Sequence, residues 1–298
     1  MSDFRLKVFR SVAKNLIFTK ASQELFVSQP AITKHIQELE AAYQTRLFDR
    51  QGSRISLTES GNLLLEHCER ILEDYKRLEY EMHLLHNEYT GGLKLGASTT
   101  IAQYVLPPLL ASFIGKFPQV SLSLLNGNSR EIEAALQEHR IDLGFVEGVF
   151  RLPNIRYTTF LEDELVAVVR TGSKLAVGEE ITPDELFHLP LVLRERGSGT
   201  LDVFERALQQ HNIKLSSLQV LMYLGSTESI KLFLEHTDCL GIVSVRSITR
   251  ELYSGQLRVV EIKGMPMLRD FSFAQPQGQE SGLAQVFMQF AMHNNHKL

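Results

Sequence analysis

The chain has 298 residues, 44% of them hydrophobic, and its 31 Lys and Arg stand against 35 Asp and Glu for a formal net charge of −4. This length suits two or three packed units, and the acidic balance excludes attraction to nucleic acid through overall charge alone. Cys68 and Cys239 lie in separate segments and exclude a disulfide framework, and no apolar run reaches the ~20 residues of a membrane span. With nothing at the N-terminus resembling a signal peptide, the expected compartment is the cytoplasm.

In chain order, Asp3 is placed to cap a first helix that turns Leu6, Phe9, Val12 and Ala13 inward. Thr19–Phe26 reads as a second, short helix with Thr19 as its N-cap and Ala21 and Leu25 on one face. After a Phe26-Val27 corner, Ser28 caps a third helix with Pro30 in the first turn, where a missing N–H costs nothing. Ile32, Ile36 and Leu39 form its buried stripe. The other face carries Gln29, Thr33, Lys34 and Gln37, with His35 beside them. Amides, a hydroxyl and a cation suit base edges and phosphates in a major groove, so this is a helix-turn-helix with Ser28–Ala41 as recognition helix. By itself that face fits the solvated surface of any small helical domain equally well. The next segment, RLFDRQGSRISLT from Arg46, shifts the balance: it predicts a hairpin turning at Gln51-Gly52-Ser53, with Arg50 and Arg54 flanking the tip. An arginine-tipped wing can reach phosphates or the minor groove. Charge is distributed to match, with nine Lys/Arg against five Asp/Glu in residues 1–58 and three against eight in residues 59–90.

Thr58 is the expected N-cap of a long helix with Glu59 in its first turn. Leu64, Cys68, Ile71, Tyr75, Leu78, Met82, Leu85 and Tyr89 follow at alternating spacings of four and three, the heptad of a coiled-coil seam. The competing reading is a core helix of the adjoining domain. Thr90-Gly91-Gly92 then closes the helix as a hinge.

The runs Phe9–Glu40 and Arg46–Gly61 resemble the LysR-type transcriptional regulators. The shared motif is a helix, a capped helix, a recognition helix opening on Gln-Pro, a wing, and Leu-Thr-x-x-Gly starting a long helix. Ser22 departs from the second alanine that many members carry. The resemblance implies an N-terminal all-α winged helix-turn-helix with a long coiled-coil linker helix. It implies a C-terminal α/β effector domain of two subdomains, like periplasmic binding proteins. The expected division is 1–58, 59–90 and 91–298. Implied partners are double-stranded promoter DNA, a second copy in a homodimer or homotetramer, a small-molecule effector, and RNA polymerase.

Beyond residue 92 short apolar strands alternate with helices. Strands are expected at Leu93–Ser98, Val120–Leu125, Ile141–Val146, Glu164–Val169, Pro190–Glu195, Gln219–Leu224, and in LGIVSV and LRVVEI; the last helix spans Ser281–His293. The pattern indicates parallel α/β sheets; the resemblance adds chain crossovers near Leu161 and Met267.

Ligands on such sheets sit beyond the carboxyl ends of strands, where helix N-termini point amides into the cleft. Three ends are rich in hydroxyls: Ser98-Thr99-Thr100, the run Arg194–Thr200, and Gly225-Ser226-Thr227. Asn128, Ser129 and Glu147 lie at equivalent ends. Each hydroxyl taken singly reads more simply as a plain N-cap. Their convergence, with Arg196 beside Ser198, Gly199 and Thr200, favours an anionic ligand. The RERGSGT run resembles family members governing sulfur assimilation or carbon fixation, which implies an oxyanion, a sulfur metabolite or a sugar phosphate as effector and no cofactor.

Catalytic signatures are missing: no G-x-S-x-G, no phosphate-binding G-x-x-x-x-G-K-[ST], no G-x-G-x-x-G. The pairs His83/His86 and His293/His296 read as solvated surface, and Cys239 has no second cysteine in its domain for a peroxide sensor. The expectation is a regulator and not an enzyme. The alternative class is a ligand-binding or scaffold protein whose helical N-terminal part serves only in oligomerisation.

Overall fold

The computed structural model describes residues 4–51, 54–86, 89–175, 178–277 and 282–294. Asp3, Gly52, Ser53, Ser281 and His296, for which the sequence raises expectations, lie outside them, as do the side chains of Arg50, Arg54, His83, Leu85 and His86. The chain forms two compact units, Met1–Glu88 and Tyr89–Leu298.

In the first unit, α1 (Phe4–Asn15), α2 (Phe18–Glu24) and α3 (Gln29–Tyr43) enclose a core of Phe9, Val12, Ala21, Ile32, Ile36 and Leu39. Each is apolar at helical spacing, so one stripe per helix faces inward. Ser28 caps α3, its hydroxyl accepting from the Ala31 N–H, and Pro30 sits in the first turn. Thr19 does not cap α2: the N-cap is Ile17, without a side-chain bond, and the Thr19 carbonyl accepts from the Ser22 hydroxyl at 2.8 Å. The helix is anchored instead from its other end, where Glu24 accepts from the Ser11 hydroxyl at 2.6 Å and the Asn15 amide at 2.9 Å.

Strands β1 (Phe48–Gln51) and β2 (Arg54–Leu57) form the wing, pairing Phe48 with Leu57 and Gln51 with Arg54. Thr58 joins it to α4 (Glu59–His86), donating to the Arg46 carbonyl at 2.7 Å and accepting from the Gly61 N–H at 2.9 Å. A Cβ on Gly61 would stand 2.2 Å from the Leu47 carbonyl oxygen, so the close approach of α4 to the wing requires glycine.

The long helix serves the domain core at its start. Cys68 and Leu72, one turn apart, are buried in the same core as α1 and α3, and Leu64 packs against it. Ile71, Leu78 and Met82 remain exposed. Tyr89 lies outside the helix and meets Phe117 edge-on at 5.7 Å. A helix that covers a globular core keeps an i, i+4 stripe toward it, and that requirement overrides the heptad at its start.

The second unit has β3 (Gly91–Ser98), a π-helical turn (Ile101–Val105), α5 (Leu106–Lys116), β4 (Val120–Gly127), α6 (Ser129–Gln137) and β5 (Leu143–Glu147). Then come β6 (Ile155–Arg170), β7 (Glu180–Ile181), β8 (Pro190–Arg194), α7 (Gly199–Gln210), β9 (Gln219–Leu224), α8 (Thr227–His236) and β10 (Leu240–Ser244). Helix α9 (Thr249–Tyr253), β11 (Leu257–Ile262), β12 (Leu268–Pro276) and α10 (Leu283–Asn294) complete it. The strand path is β4-β3-β5-β12-β6-β10-β8-β9, with β11 on β6 and β7 on β11. Gly91 and Gly92 open β3 opposite Val120 and Ser121.

Two lobes share β6. Its first part, Ile155–Glu164, pairs antiparallel with β12 beside the parallel strands of lobe I, β4-β3-β5; Leu165–Arg170 pairs with β10 and β11 of lobe II. The handover at Glu164/Leu165 and the return at Leu268 lie close to the crossovers expected near Leu161 and Met267. Strand β12 has no counterpart among the expected strands, and β6 starts nine residues before the expected Glu164. Lobe I is filled by phenylalanines, Phe113 lying 4.8 Å from Phe287 and Phe145 5.1 Å from Phe273. Among the described residues no helix is long and apolar enough to cross a membrane.

At the helix-turn-helix corner Phe26 has φ +55° and is 96% exposed. The left-handed conformation costs a residue with a Cβ roughly 1–2 kcal/mol and suits asparagine better. Phe26→Asn is expected to stabilise the first unit by about 1 kcal/mol, read as a higher midpoint in urea unfolding; a lower midpoint would show that the ring has stabilising contacts.

Candidate functional site

The strand ends of the two lobes meet. Arg194 closes the apolar strand β8 and is only 2% exposed. Its Nε and Nη2 bind the Glu195 carboxylate at 2.8 and 3.0 Å, and Nη2 reaches the Gly225 carbonyl and the Thr99 hydroxyl, each at 3.3 Å. Arg194 belongs to lobe II and Thr99 to lobe I, so this contact spans the cleft. The Thr99 hydroxyl donates in turn to the Gly127 carbonyl at 3.3 Å. Next to Thr99, the Ser98 hydroxyl is buried and without a hydrogen-bond partner, as is Nη1 of Arg194.

Deeper in the cleft is a buried ion network. Arg269, at the start of β12, holds Asp163 of β6 through Nε and Nη2, both at 2.7 Å, and lies 3.2 Å from Glu147 of β5 through Nη1. Nη1 also donates to the Thr200 hydroxyl at 3.0 Å. The hydroxyls of Thr100 and Thr200 approach Glu147 Oε1 from the two lobes, each at 3.5 Å. Ser244 donates to Asp163 Oδ1 at 2.7 Å. The Ser129 hydroxyl donates to the Glu147 carbonyl at 2.8 Å and fixes that strand end.

Glycines allow this closeness. A Cβ on Gly199 would stand 2.3 Å from the Glu147 carbonyl oxygen, and Gly197, at φ +93°, faces Arg130 and Asn128 of lobe I. The Arg130 N–H donates to the Gly197 carbonyl at 3.3 Å.

A second rim lies where the π-helical turn faces α8. The Tyr104 hydroxyl bonds Glu228, and burial and that bond hold its pKa above the ordinary tyrosine range. Lys231, 4% exposed, stands 5.2 Å from the Tyr104 ring centre and binds Glu228 at 2.7 Å, Glu251 at 2.8 Å and the Ser247 carbonyl at 2.9 Å. An open cavity of about 600 Å³ adjoins this cluster.

Ser98, Thr99, Thr100, Ser129, Glu147, Ser198, Gly199 and Thr200 thus come together, and Thr227 is buried at the start of α8. Three more of the expected residues are placed as follows. Arg196 is exposed, and the buried cation of that run is Arg194. Asn128 is engaged in a capping box with Glu131, and Ser226 caps α8 through Ser229; both are N-caps. Arg269, Asp163 and Lys231 were missed. Arg194 carried a signal, a charge closing the run Pro190–Arg194, whereas Arg269 lies on a strand that was not recognised.

On the first unit, Gln29, Pro30, Lys34 and Gln37 are exposed along α3. Thr33 is half-buried and donates to the Gln29 carbonyl at 3.2 Å. His35 is half-buried, edge-on to Phe4 at 5.4 Å and 3.5 Å from Glu38. Cys68 and Cys239 are both buried, and burial pushes each thiol up to about 11. Thiols so protected carry little thiolate near neutral pH.

Residues 86–295 match the family described as LysR substrate binding domain, and residues 4–62 match that described as Bacterial regulatory helix-turn-helix protein, lysR family. The chain belongs to the LysR family of transcriptional regulators. It is similar to the HTH-type transcriptional regulator YeiE of Escherichia coli K12, 35% identical over 258 residues that span 87% of this chain and 85% of that one. It is 30% identical to the RuBisCO operon transcriptional regulator of Acidithiobacillus ferrooxidans over 287 residues, 96% of this chain and 92% of the other. The regulatory domain of CcmR from Synechocystis PCC6803, solved in complex with 2-PG, matches with a TM-score of 0.62 at 27% identity over 68% of this chain and 97% of that one. As a LysR-family regulator the protein binds DNA through its first unit and carries an effector-binding domain in its second. The family comprises regulators and not enzymes.

Breaking a buried ion pair by removing one partner typically costs about 3–5 kcal/mol. Asp163→Ala, which leaves Arg269 with Glu147 and the Thr200 hydroxyl, is therefore expected to lower the stability of the second unit by roughly 3 kcal/mol or more, measured by denaturant unfolding; a change within experimental error would show that Arg269 is solvated by water instead.

Proposed function

We propose that the regulator senses an anionic small molecule, an oxyanion, a sulfur metabolite or a sugar phosphate, held between its two lobes. The observation that supports this most directly is the buried Arg194 guanidinium at the junction, whose Nη2 reaches the Thr99 hydroxyl while its Nη1 and the hydroxyl of the adjacent Ser98 are unpartnered. Thr100, Ser198, Gly199, Thr200 and Thr227 complete the cleft in this reading. A charged donor in a site shielded from water favours an anion. The 2-PG, 2-phosphoglycolate, held by the CcmR domain is an anion of the same kind.

On DNA, two copies of α3 enter successive major grooves, about 34 Å apart for half-sites one helical turn apart. Gln29, Thr33, Lys34 and Gln37 meet bases and phosphates, Pro30 sets the start of the helix, and Arg50 and Arg54 act from the wings. A dimer supplies that spacing. Ile71, Leu78 and Met82 are exposed on α4, and the edge strands β4 and β9 carry exposed Leu124, Leu125, Leu221, Met222 and Tyr223; covering them in a homodimer, or in a tetramer of two, removes that apolar surface from water. In functional terms the chain divides as 1–58 for DNA, 59–90 for dimerisation and 91–298 for effector. It works in the cytoplasm, with RNA polymerase as a further contact. Effector binding changes lobe closure and, through it, how the dimers sit on the promoter, so DNA alters effector affinity by the same factor.

Two experiments test this reading. The double substitution of Thr33 and Lys34 by alanine is expected to abolish specific promoter binding in a mobility-shift assay while the protein stays a folded oligomer. Undiminished binding would remove α3 as the reading helix. Thermal unfolding of the full chain is to be followed with phosphate, sulfite, thiosulfate, O-acetylserine, phosphoenolpyruvate, ribulose bisphosphate and 2-phosphoglycolate. An effector at a hundred times its Kd adds ~2.7 kcal/mol, a shift of a few degrees, and Arg194→Met should cancel it. No response to any anion rejects an anionic effector.

A further inference from the structure

We infer that Glu147 sets a second requirement on the ligand: besides its negative charge it must carry a proton donor, and fully deprotonated oxyanions such as sulfate are refused. The inference rests on the proposed anion cleft and narrows what that cleft takes.

Glu147 is 4% exposed, and the two oxygens of its carboxylate are used unequally. Oε1 faces Arg269 at 3.2 Å and the hydroxyls of Thr100 and Thr200 at 3.5 Å, whereas Oε2 is buried with no hydrogen-bond partner. An ionised carboxylate is an acceptor only, and a buried acceptor left unmet is costly, so such an atom calls for a donor. The other buried atoms nearby without a hydrogen-bond partner are of the opposite kind: Nη1 of Arg194 and Nη2 of Arg269 are donors, the latter already 2.7 Å from the Asp163 carboxylate, and the Ser98 hydroxyl can donate. The side chains that carry these atoms gather at one turn. Arg194 is tied to Thr99 and Glu147 to Thr100, on consecutive residues directly after Ser98. A ligand lying along Ser98–Thr100 therefore meets donors at one end and a free carboxylate oxygen at the other.

Charge points the same way. Arg194 is already paired with Glu195, and Arg269 with Asp163 and Glu147. Along Ser98–Thr100 an incoming anion meets a guanidinium that is already partly used and a carboxylate that repels it. A hydroxyl, an acid proton or an ammonium on the ligand turns that repulsion into a charge-assisted hydrogen bond. Inorganic phosphate and sulfate have the same shape and differ at neutral pH by a proton, which makes them the matched pair for this site.

Isothermal titration of the full chain at pH 7 and fixed ionic strength with sodium phosphate and with sodium sulfate decides the matter. Phosphate is expected to bind on the order of ten- to a hundredfold more tightly, the value of one unmet buried acceptor. In Glu147→Gln the amide can donate to sulfate, and the preference should collapse or invert. Equal or tighter binding of sulfate by the unsubstituted chain overturns the inference and leaves the anion cleft standing, as does a Glu147→Gln protein that folds and keeps the original ratio. The unsubstituted chain decides even if that variant fails to fold. Should neither tetrahedral anion bind while another anion does, a bound effector lacking any hydroxyl, acid proton or amino group overturns it equally. If no anion of any kind binds, both this inference and the anionic reading fall together.

Discussion

Arg269 grips Asp163 from one strand and meets Glu147 from another, and the joint between the two lobes depends on that cation. Burying an ion costs several kcal/mol in desolvation, which is recovered only when its partners are held in good geometry. Asp163 and Arg269 sit on β6 and β12, the two strands that cross between lobes, so the recovery requires both crossings in register. Thr100 and Thr200 extend the same network into each lobe. Apolar packing is non-directional and tolerates sliding, whereas a joint of ions and hydrogen bonds favours particular lobe settings.

The glycines fit that arrangement. Gly199 lets the start of α7 press against the backbone of Glu147, and Gly197 turns its loop toward lobe I. The cleft wall is consequently main chain on one side and buried charge on the other. The Tyr104–Glu228–Lys231 cluster on the second rim is built the same way, with a buried cation shared between lobes.

In the first unit the constraint is of the opposite sort. Cys68 and Leu72 of α4 share an apolar core with Ile32, Ile36 and Leu39 of α3, so the long helix and the reading helix move as one body. Gly61 and Thr58 fix the wing to the same helix. Exposed polar groups on α3 can be presented to a groove because the face behind them is rigidly packed.

The helix-turn-helix was legible because its signals are local: a capping serine, a proline in the first turn and a stripe at i, i+4, i+7 act within two turns of chain. The parallel strands were legible for a similar reason, each being a short apolar run with a helix after it. Thr19 failed as a cap because α2 starts where α1 lets the chain turn, a tertiary matter. The heptad failed at Cys68 because the domain core claims the first turns of α4. Strand β12 and the first half of β6 were hidden, since their residues answer to charge partners more than a hundred positions away and show no clean alternation. Of the cleft, the sequence by itself determined the hydroxyl-rich strand ends. Only the fold decided that Arg194 is buried and Arg196 exposed, and that Arg269 stands beside Glu147, because burial and pairing arise when distant strands meet.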